Sequence, residues 1–546
     1  MRLPILAIGL CLSASPAQAR SDDVTVLVKL VAPDALEVSY DLPRTCASLP
    51  FLKDGPGAGR IRARWQAQDG CGSAGGDTLA RAPARADAAD ACQRLRFRVP
   101  ATADKVSGYP GSFPTGQVLY AHMSNYAVGP QCGKVHYRFV APGGVETGGA
   151  LVDGEAVADE DAPALLLPTR RPAGADLDYF DPALDSAAVD RIRAVADGTA
   201  AYLRAAMPAA VFRRPIIAAT LATEPGGPNI GGNAGEILLL TMFNWPAAPS
   251  PALQRRANVL VAHEMSHRFQ LRDAVDDYPD ARLIHEGGAE FLRWSASLAR
   301  GWLTPQQAAA ELDEALATCM LTVGERRWRA LSAREIGGNQ LEYSCGLPAY
   351  VYALAARQGQ GAPIARIDDF YRQLRAGAKP DFARALECGA AVPCQARLLP
   401  AVLDDDAPMA AQWRAMLAET GLATPRPPNQ AQRDAMTLRA VTALVKDDCG
   451  GASSITPTPA SMLVDALKAC KTIKTDVEVV RVESLPLFGG ADALPAMIAA
   501  CANRHAVRFA LKSGAALDIP CATPYRATEQ FYAVDIDKVM GLLARE

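Results

Sequence analysis

Two histidines and two glutamates stand at spacings that suit metal chemistry. In Val261-Ala-His-Glu-Met-Ser-His-Arg-Phe-Gln270, His263 and His267 are four residues apart. On a helix their rings project from one face about a turn apart. Both imidazoles can then reach one tetrahedral Zn²⁺, with Glu264 placed to touch a metal-bound water. Eighteen residues separate His267 from Glu286, which sits in Leu283-Ile-His-Glu-Gly-Gly-Ala-Glu-Phe291. Two histidines and one carboxylate leave one metal position open, the catalytic rather than the structural arrangement. Chance is a poor rival: of the six histidines in the chain, three fall between positions 263 and 285. The pattern predicts one Zn²⁺ per chain on His263, His267 and Glu286, and a zinc metallopeptidase.

Helices must hold these groups. Ser250 is a capping residue and Pro251 suits a first turn, where the missing N–H costs nothing. Val259, Leu260, Val261 and Ala262 then give an apolar run that would bury the helix. A second helix, from about Leu283, carries Glu286 and Glu290 on one face and stops near Gly301, a typical residue past a helix end. Gly287 and Gly288 permit a close approach to the first helix. Glu290 is a candidate to orient a ligand histidine from behind; a helix-surface carboxylate is the competing reading.

These residues resemble the gluzincins of the aminopeptidase N and leukotriene A4 hydrolase type, and the related glycyl aminopeptidases. That family shows H-E-x-x-H, eighteen residues, then Glu in an Asn-Glu-Gly-Phe-Ala-like segment; here the run is His285-Glu286-Gly287-Gly288-Ala289. The resemblance implies an oxyanion-stabilising Tyr before a Gly, some sixty residues on, and Tyr343-Ser-Cys-Gly346 looks like that element. It also implies a Gly-Ala-Met-Glu-Asn strand about thirty residues before the motif. The matching stretch contains Gly231-Gly-Asn-Ala-Gly235. With Asn233 and Gly235 aligned to the family's Asn and following Gly, Gly232 replaces the amine-binding Glu, so Glu224 or Glu236 would have to substitute. The strand formed by Gly231, Gly232, Asn233, Ala234 and Gly235 could still pair with an extended peptide by edge addition. Endo- versus exo-cleavage is therefore open.

At 546 residues the chain exceeds one core, and three domains are expected. The fold class is multidomain α+β: a β-rich N-terminal domain, a thermolysin-like zincin domain with a helical C-terminal part, and a small C-terminal α/β domain. Residues 1–19 read as a signal peptide, with an apolar Ile5–Leu12 segment and an Ala17-Gln-Ala19 cleavage site. Residues 20–150 are β-rich, with strands at Val24–Leu30, Leu36–Tyr40, Gly59–Trp65, Leu95–Val99 and Val135–Val140. Residues 151–178 read as a linker, within a Gly-, Ala-, Pro- and Asp-rich stretch from 141 that allows one short strand pair. The peptidase domain spans 179–424, and Pro425-Arg-Pro-Pro-Asn429 marks a boundary. Residues 430–546 form a small disulfide-bonded α/β domain whose strand–helix–strand order looks like a PDZ domain, with an unrelated small fold as the alternative.

Twelve of the thirteen cysteines follow the leader, in three groups of four: 46, 71, 92 and 132; 319, 345, 388 and 394; 449, 470, 501 and 521. Disulfides within each group are the natural reading in an oxidising compartment. No later stretch offers the ~20 apolar residues of a membrane span. The Ala-, Arg- and Pro-rich composition suggests a bacterium, hence a periplasmic or secreted protein. A net charge of −3 and the lack of a basic run argue against a nucleic-acid partner. The expected partner is a peptide or protein substrate; oligomeric state stays open.

In the scheme that the resemblance and the residues imply, His263, His267 and Glu286 hold Zn²⁺ and Glu264 is general base, then acid. Tyr343 donates to the oxyanion. Two alternatives stand beside it: a zinc hydrolase of a non-peptide substrate, and a binding or scaffold protein on the same fold.

Overall fold

The computed structural model describes residues 23–82, 92–101, 112–170, 178–223, 227–356, 362–387, 403, 407–450, 453–466, 470–526 and 530–544. The leader, Glu224, Cys388 and Cys394 lie outside the described residues. Two compact units divide the chain: the described residues to Ile192 with Arg214–Leu260, and Arg193–Arg213 with the described residues from Val261 onward.

The first unit is mostly β. Val24–Ala32 pairs antiparallel with Ala35–Asp41 and parallel with Val135–Val140. Its period-2 pattern buries Val24, Val26, Val28 and Leu30 on one face. Arg94–Pro100 and Glu155–Ala158 extend this sheet on its two sides. A second sheet runs Ala150–Val152, Val145–Thr147, Pro163–Leu166, Val118–His122 and Phe113–Thr115. The disulfides Cys46–Cys132 and Cys71–Cys92 staple this region.

Two expectations fail here. Gly59–Trp65, read as a strand from its alternating arginines, instead largely falls in the helix Gly55–Arg62, with Pro56 in the first turn. Arg62 explains the failure, because it is buried rather than facing water. Its guanidinium lies 3.8 Å from the centre of the Phe51 ring and donates to the carbonyl oxygens of Gly76 and Lys53. The second correction concerns the linker. Residues 145–166 carry four strands, with Val145, Ala156, Leu165 and Leu166 buried. The glycines there turn hairpins: Gly148, Gly149 and Gly154 have φ of 57°, 70° and 73°.

A four-stranded sheet follows, in the order Tyr179–Phe180, Ile216–Ala222, Ile237–Phe243, Asn229–Ala234. The two middle strands are parallel and nearly wholly apolar, as strands covered on both faces must be. Asn229–Ala234 runs antiparallel at the edge.

The second unit is helical around the histidine motif. Pro305–Val323 starts on a reciprocal cap between Thr304 and Gln307. Gly346–Ala356 is buried along all but its last residue, and Cys319–Cys345 ties its start to Pro305–Val323. Asn429, at the foreseen boundary, caps Gln430–Asp448 with Gln432. A five-strand path and the helix Ala493–Arg504 complete the C-terminal α/β portion, with Cys449–Cys470 and Cys501–Cys521. Its end corrects the 430–546 boundary. Phe531–Val534 pairs antiparallel with Ala423–Arg426, and Val534 N–H donates to Asp313 on Pro305–Val323. Tyr532 and Phe531 are buried there, so apolar burial draws the chain back into the helical part.

Replacing Arg62 with Ala leaves two carbonyls unpaired and strips the Phe51 face. We expect R62A to lower the stability of the first unit by about 3 kcal/mol. Thermal unfolding of the full chain should show the melting of the first unit moved down by several degrees.

Candidate metal centre

The first helix, Pro251–His267, starts where Ser250 Oγ accepts from Leu253 N–H at 3.2 Å. His263 and Glu264 near its end are 6% and 8% exposed, so both sit inside protein rather than on a surface. The second element is less regular than expected. Leu283–Gly287 forms a π-helical turn before the α-helix Gly288–Ala299 begins. One extra residue in the turn changes where the following side chains point, and such turns recur at functional sites. Tyr350 OH donates to Ile284 O at 2.8 Å and Gln270 Nε2 to His285 O at 2.9 Å, which pins the turn.

Three ligand atoms converge. His263 Nε2 and His267 Nε2 are 3.0 Å apart, and each lies 3.3 Å from Glu286 Oε2. A tetrahedral ion with bonds of about 2.0–2.1 Å needs ligand separations of about 3.3 Å. The observed triangle fits that ion closely. The opposite ring nitrogens are accounted for as well: His263 Nδ1 donates to Glu290 Oε1 and His267 Nδ1 to Gln270 Oε1, both at 2.8 Å. With Nδ1 carrying the proton, each Nε2 presents its lone pair to the common point.

The electrostatics favour a cation at that point. Burial opposes charge on His263, yet Glu286, Glu290 and Glu264 outweigh it and push its pKa up to about 10. The same negative field favours a metal ion at that point. Burial likewise opposes charge on Glu286, but hydrogen bonds from His263 and His267 hold it far below the ordinary carboxylate range. Glu290, desolvated but facing Arg293 and His263, falls to about 2. His285 stacks on His267 with centroids 4.1 Å apart, and burial, with the neighbouring His267 adding to it, lowers its pKa to about 3. It is a neutral wall of the site.

Tyr343 lies on the short helix Leu341–Ser344, its ring 5.6 Å from that of His263 and its hydroxyl hydrogen-bonded to Glu286. Burial, then the charges of Glu286 and Glu342, raises its pKa well above the phenol range, so it stays a donor. Two contacts bring this helix to the π-helical turn. Arg282, just before the turn, pairs with buried Glu342, next to Tyr343. Closer still, Gly287 faces Gly346: a Cβ on Gly346 would lie 2.4 Å from Gly287 Cα.

His263, Glu264, His267, Glu286, Glu290 and Tyr343 thus gather in the second unit. Gly231, Gly232, Asn233 and Ala234 belong to the first unit, in the edge strand Asn229–Ala234, with Gly235 in the turn after it. Gly232 and Asn233 are exposed, and Tyr120 hydrogen-bonds the Asn233 side chain. Among the described residues no strand pairs with the outer edge of Asn229–Ala234. Sequence reasoning missed Gln270, Arg293 and Glu311. Gln270 follows His267 by three and Arg293 follows Glu290 by three, so one helical turn beyond each named residue was the available signal.

No protein-family model and no curated protein sequence matches the chain. Among solved structures, an aminopeptidase N family protein from Idiomarina loihiensis is similar at TM-score 0.56, with 10% identity, over 95% of this chain and 100% of that one. The two share a fold. An M1 zinc metallopeptidase mutant from Deinococcus radiodurans matches at TM-score 0.31 and 14% identity, over 73% of this chain and 92% of that one; so low a score carries no argument.

Gly346→Ala tests the close approach. Forcing a methyl between the two backbones should cost about 1–3 kcal/mol and separate Tyr343 from Glu286. We expect a lower melting temperature and weaker zinc retention than in wild type, read by calorimetry and metal analysis.

Proposed function

We propose that this protein is an exported zinc-dependent metallopeptidase. The observation that carries the reading is the 3.0–3.3 Å triangle of His263 Nε2, His267 Nε2 and Glu286 Oε2, with Glu264 beside it on the same helix. Both Nδ1–H groups already have acceptors, so those three atoms are the ones that would hold the zinc. Bound there, zinc would polarise a carbonyl and lower the pKa of a water. Glu264 would accept the water's proton and pass it to the departing amine, as general base and then acid. Tyr343 would donate its hydroxyl hydrogen to the oxygen on which negative charge develops. Its raised pKa supports this role, since a phenolate could not donate.

Five disulfide pairs among the described residues support an oxidising compartment. Among the described residues no helix is long and apolar enough to cross a membrane. The substrate would be a peptide or protein. Gly232, in place of the amine-gripping Glu that the family resemblance implies, removes one reason to expect cleavage only at free amino termini.

The test compares wild type with Glu264→Gln and Tyr343→Phe on a mixed peptide library, with products read by mass spectrometry and metal counted in the same samples. We expect E264Q to lose about 10²–10⁴ in kcat and Y343F about 10²–10³, with zinc retained in both. A chelator should abolish cleavage and added zinc restore it. Products cut inside long peptides would define an endopeptidase. Zinc-loaded wild type that cleaves no peptide would overturn the peptidase reading and move the search to non-peptide substrates.

A further inference from the structure

Behind His263 runs a chain of charged groups that coordination alone does not require. His263 Nδ1 donates to Glu290 Oε1, and the other oxygen, Oε2, accepts from Arg293 Nε at 3.2 Å and Nη2 at 2.5 Å. Arg293 Nη1 reaches on to Glu311 Oε2 at 2.5 Å, on the helix Pro305–Val323. Arg293 is 5% exposed, on a helix whose neighbouring Phe291, Leu292, Trp294 and Ala296 are fully buried. A guanidinium in such a place is costly to desolvate, and an apolar side chain of similar volume would often serve packing as well or better. Its presence in such a place invites a role that packing does not supply.

The geometry gives one. By holding Glu290 Oε2 with two donors of a rigid fork, Arg293 leaves Oε1 as the oxygen available to His263 and keeps the carboxylate from rotating. Glu290 in turn fixes both the ring plane and the tautomer of His263. We propose that Arg293 is a positioning residue for the metal ligand His263, acting through Glu290, with Glu311 as the counter-charge that keeps the guanidinium buried. The proposal rests on the reading of His263 as a ligand. It makes the two ligand histidines unequal: His267 leans on the neutral amide of Gln270, whereas His263 leans on a carboxylate braced from a separate helix.

The test uses the full chain as Arg293→Met, Arg293→Lys and Glu311→Gln. Zinc affinity is measured by competition with a chelator, and ligand geometry by the visible absorption of the cobalt(II)-loaded protein. We expect R293M to bind zinc about 10–100-fold more weakly, with an altered cobalt band. R293K keeps the charge but loses the planar fork and should fall between R293M and wild type. E311Q, at a partly exposed position, should show a smaller loss in the same direction. R293M that melts like wild type and binds zinc as tightly would overturn the proposal. Should R293M fail to fold, wild-type zinc affinity in R293K and E311Q overturns it instead. If wild type itself binds no zinc, the ligand reading of His263 fails first and the proposal falls with it.

Discussion

Two backbones meeting without side chains between them set the limits of this site. Gly287 follows Glu286, and Gly346 follows Tyr343 by three residues; their α-carbons face each other too closely for any Cβ. That contact is what allows a hydroxyl from one helix to reach a carboxylate on another. The Cys319–Cys345 bridge and the Arg282–Glu342 pair hold the same junction from two sides. The bridge lies in a covalent framework that solvent does not loosen. The ion pair, whose arginine is half exposed, adds orientation more than energy.

Charge is concentrated where apolar packing would ordinarily prevail. Glu264, Glu286 and Glu290 surround two imidazoles within a largely buried pocket; Arg293 offsets Glu290 and Arg282 acts on Glu286. If a metal ion fills the centre of this pocket, as proposed, folding and metal binding would be linked through these groups. The π-helical turn belongs to the same economy. Across this turn Glu286 Oε2 faces His263 Nε2 while Glu290 Oε1 takes His263 Nδ1 on the opposite side of the ring.

Much of the centre was legible because its spacing follows helical geometry. His263, Glu264 and His267 on one helix, and Glu286 after a short excursion, needed only the period of an α-helix and the valence of a metal ion. Ser250 and Pro251 placed the helix start correctly for the same local reasons. What escaped reading depends on tertiary partners. Arg62 looked like one of a row of outward-facing arginines until Phe51 and the carbonyls of Lys53 and Gly76 closed around it. The glycines of 144–154 signalled flexible chain by composition and proved to be hairpin turns inside paired sheets. Arg293 and Glu311 lie eighteen positions apart on different helices, and no local pattern joins them. Cysteine grouping, by contrast, survived intact wherever both partners are described: each bridge links two members of one group, although Cys46–Cys132 spans Cys71–Cys92 rather than joining neighbours.

The strand Phe531–Val534 returns to pair with Ala423–Arg426 after more than a hundred intervening residues. Everything from Asn429 to the end of that excursion is therefore an insertion into the helical part rather than an appendage to it. Closing so long a loop adds little to the cost relative to one half its length, since the entropy grows only with the logarithm of length. Timing is another matter. A chain made or threaded from its amino end holds the first partner strand long before the second exists, and the edge of Ala423–Arg426 stays open meanwhile. The helical part around His263, His267 and Glu286 is thus the last to be completed, although those three residues are made about halfway along the chain.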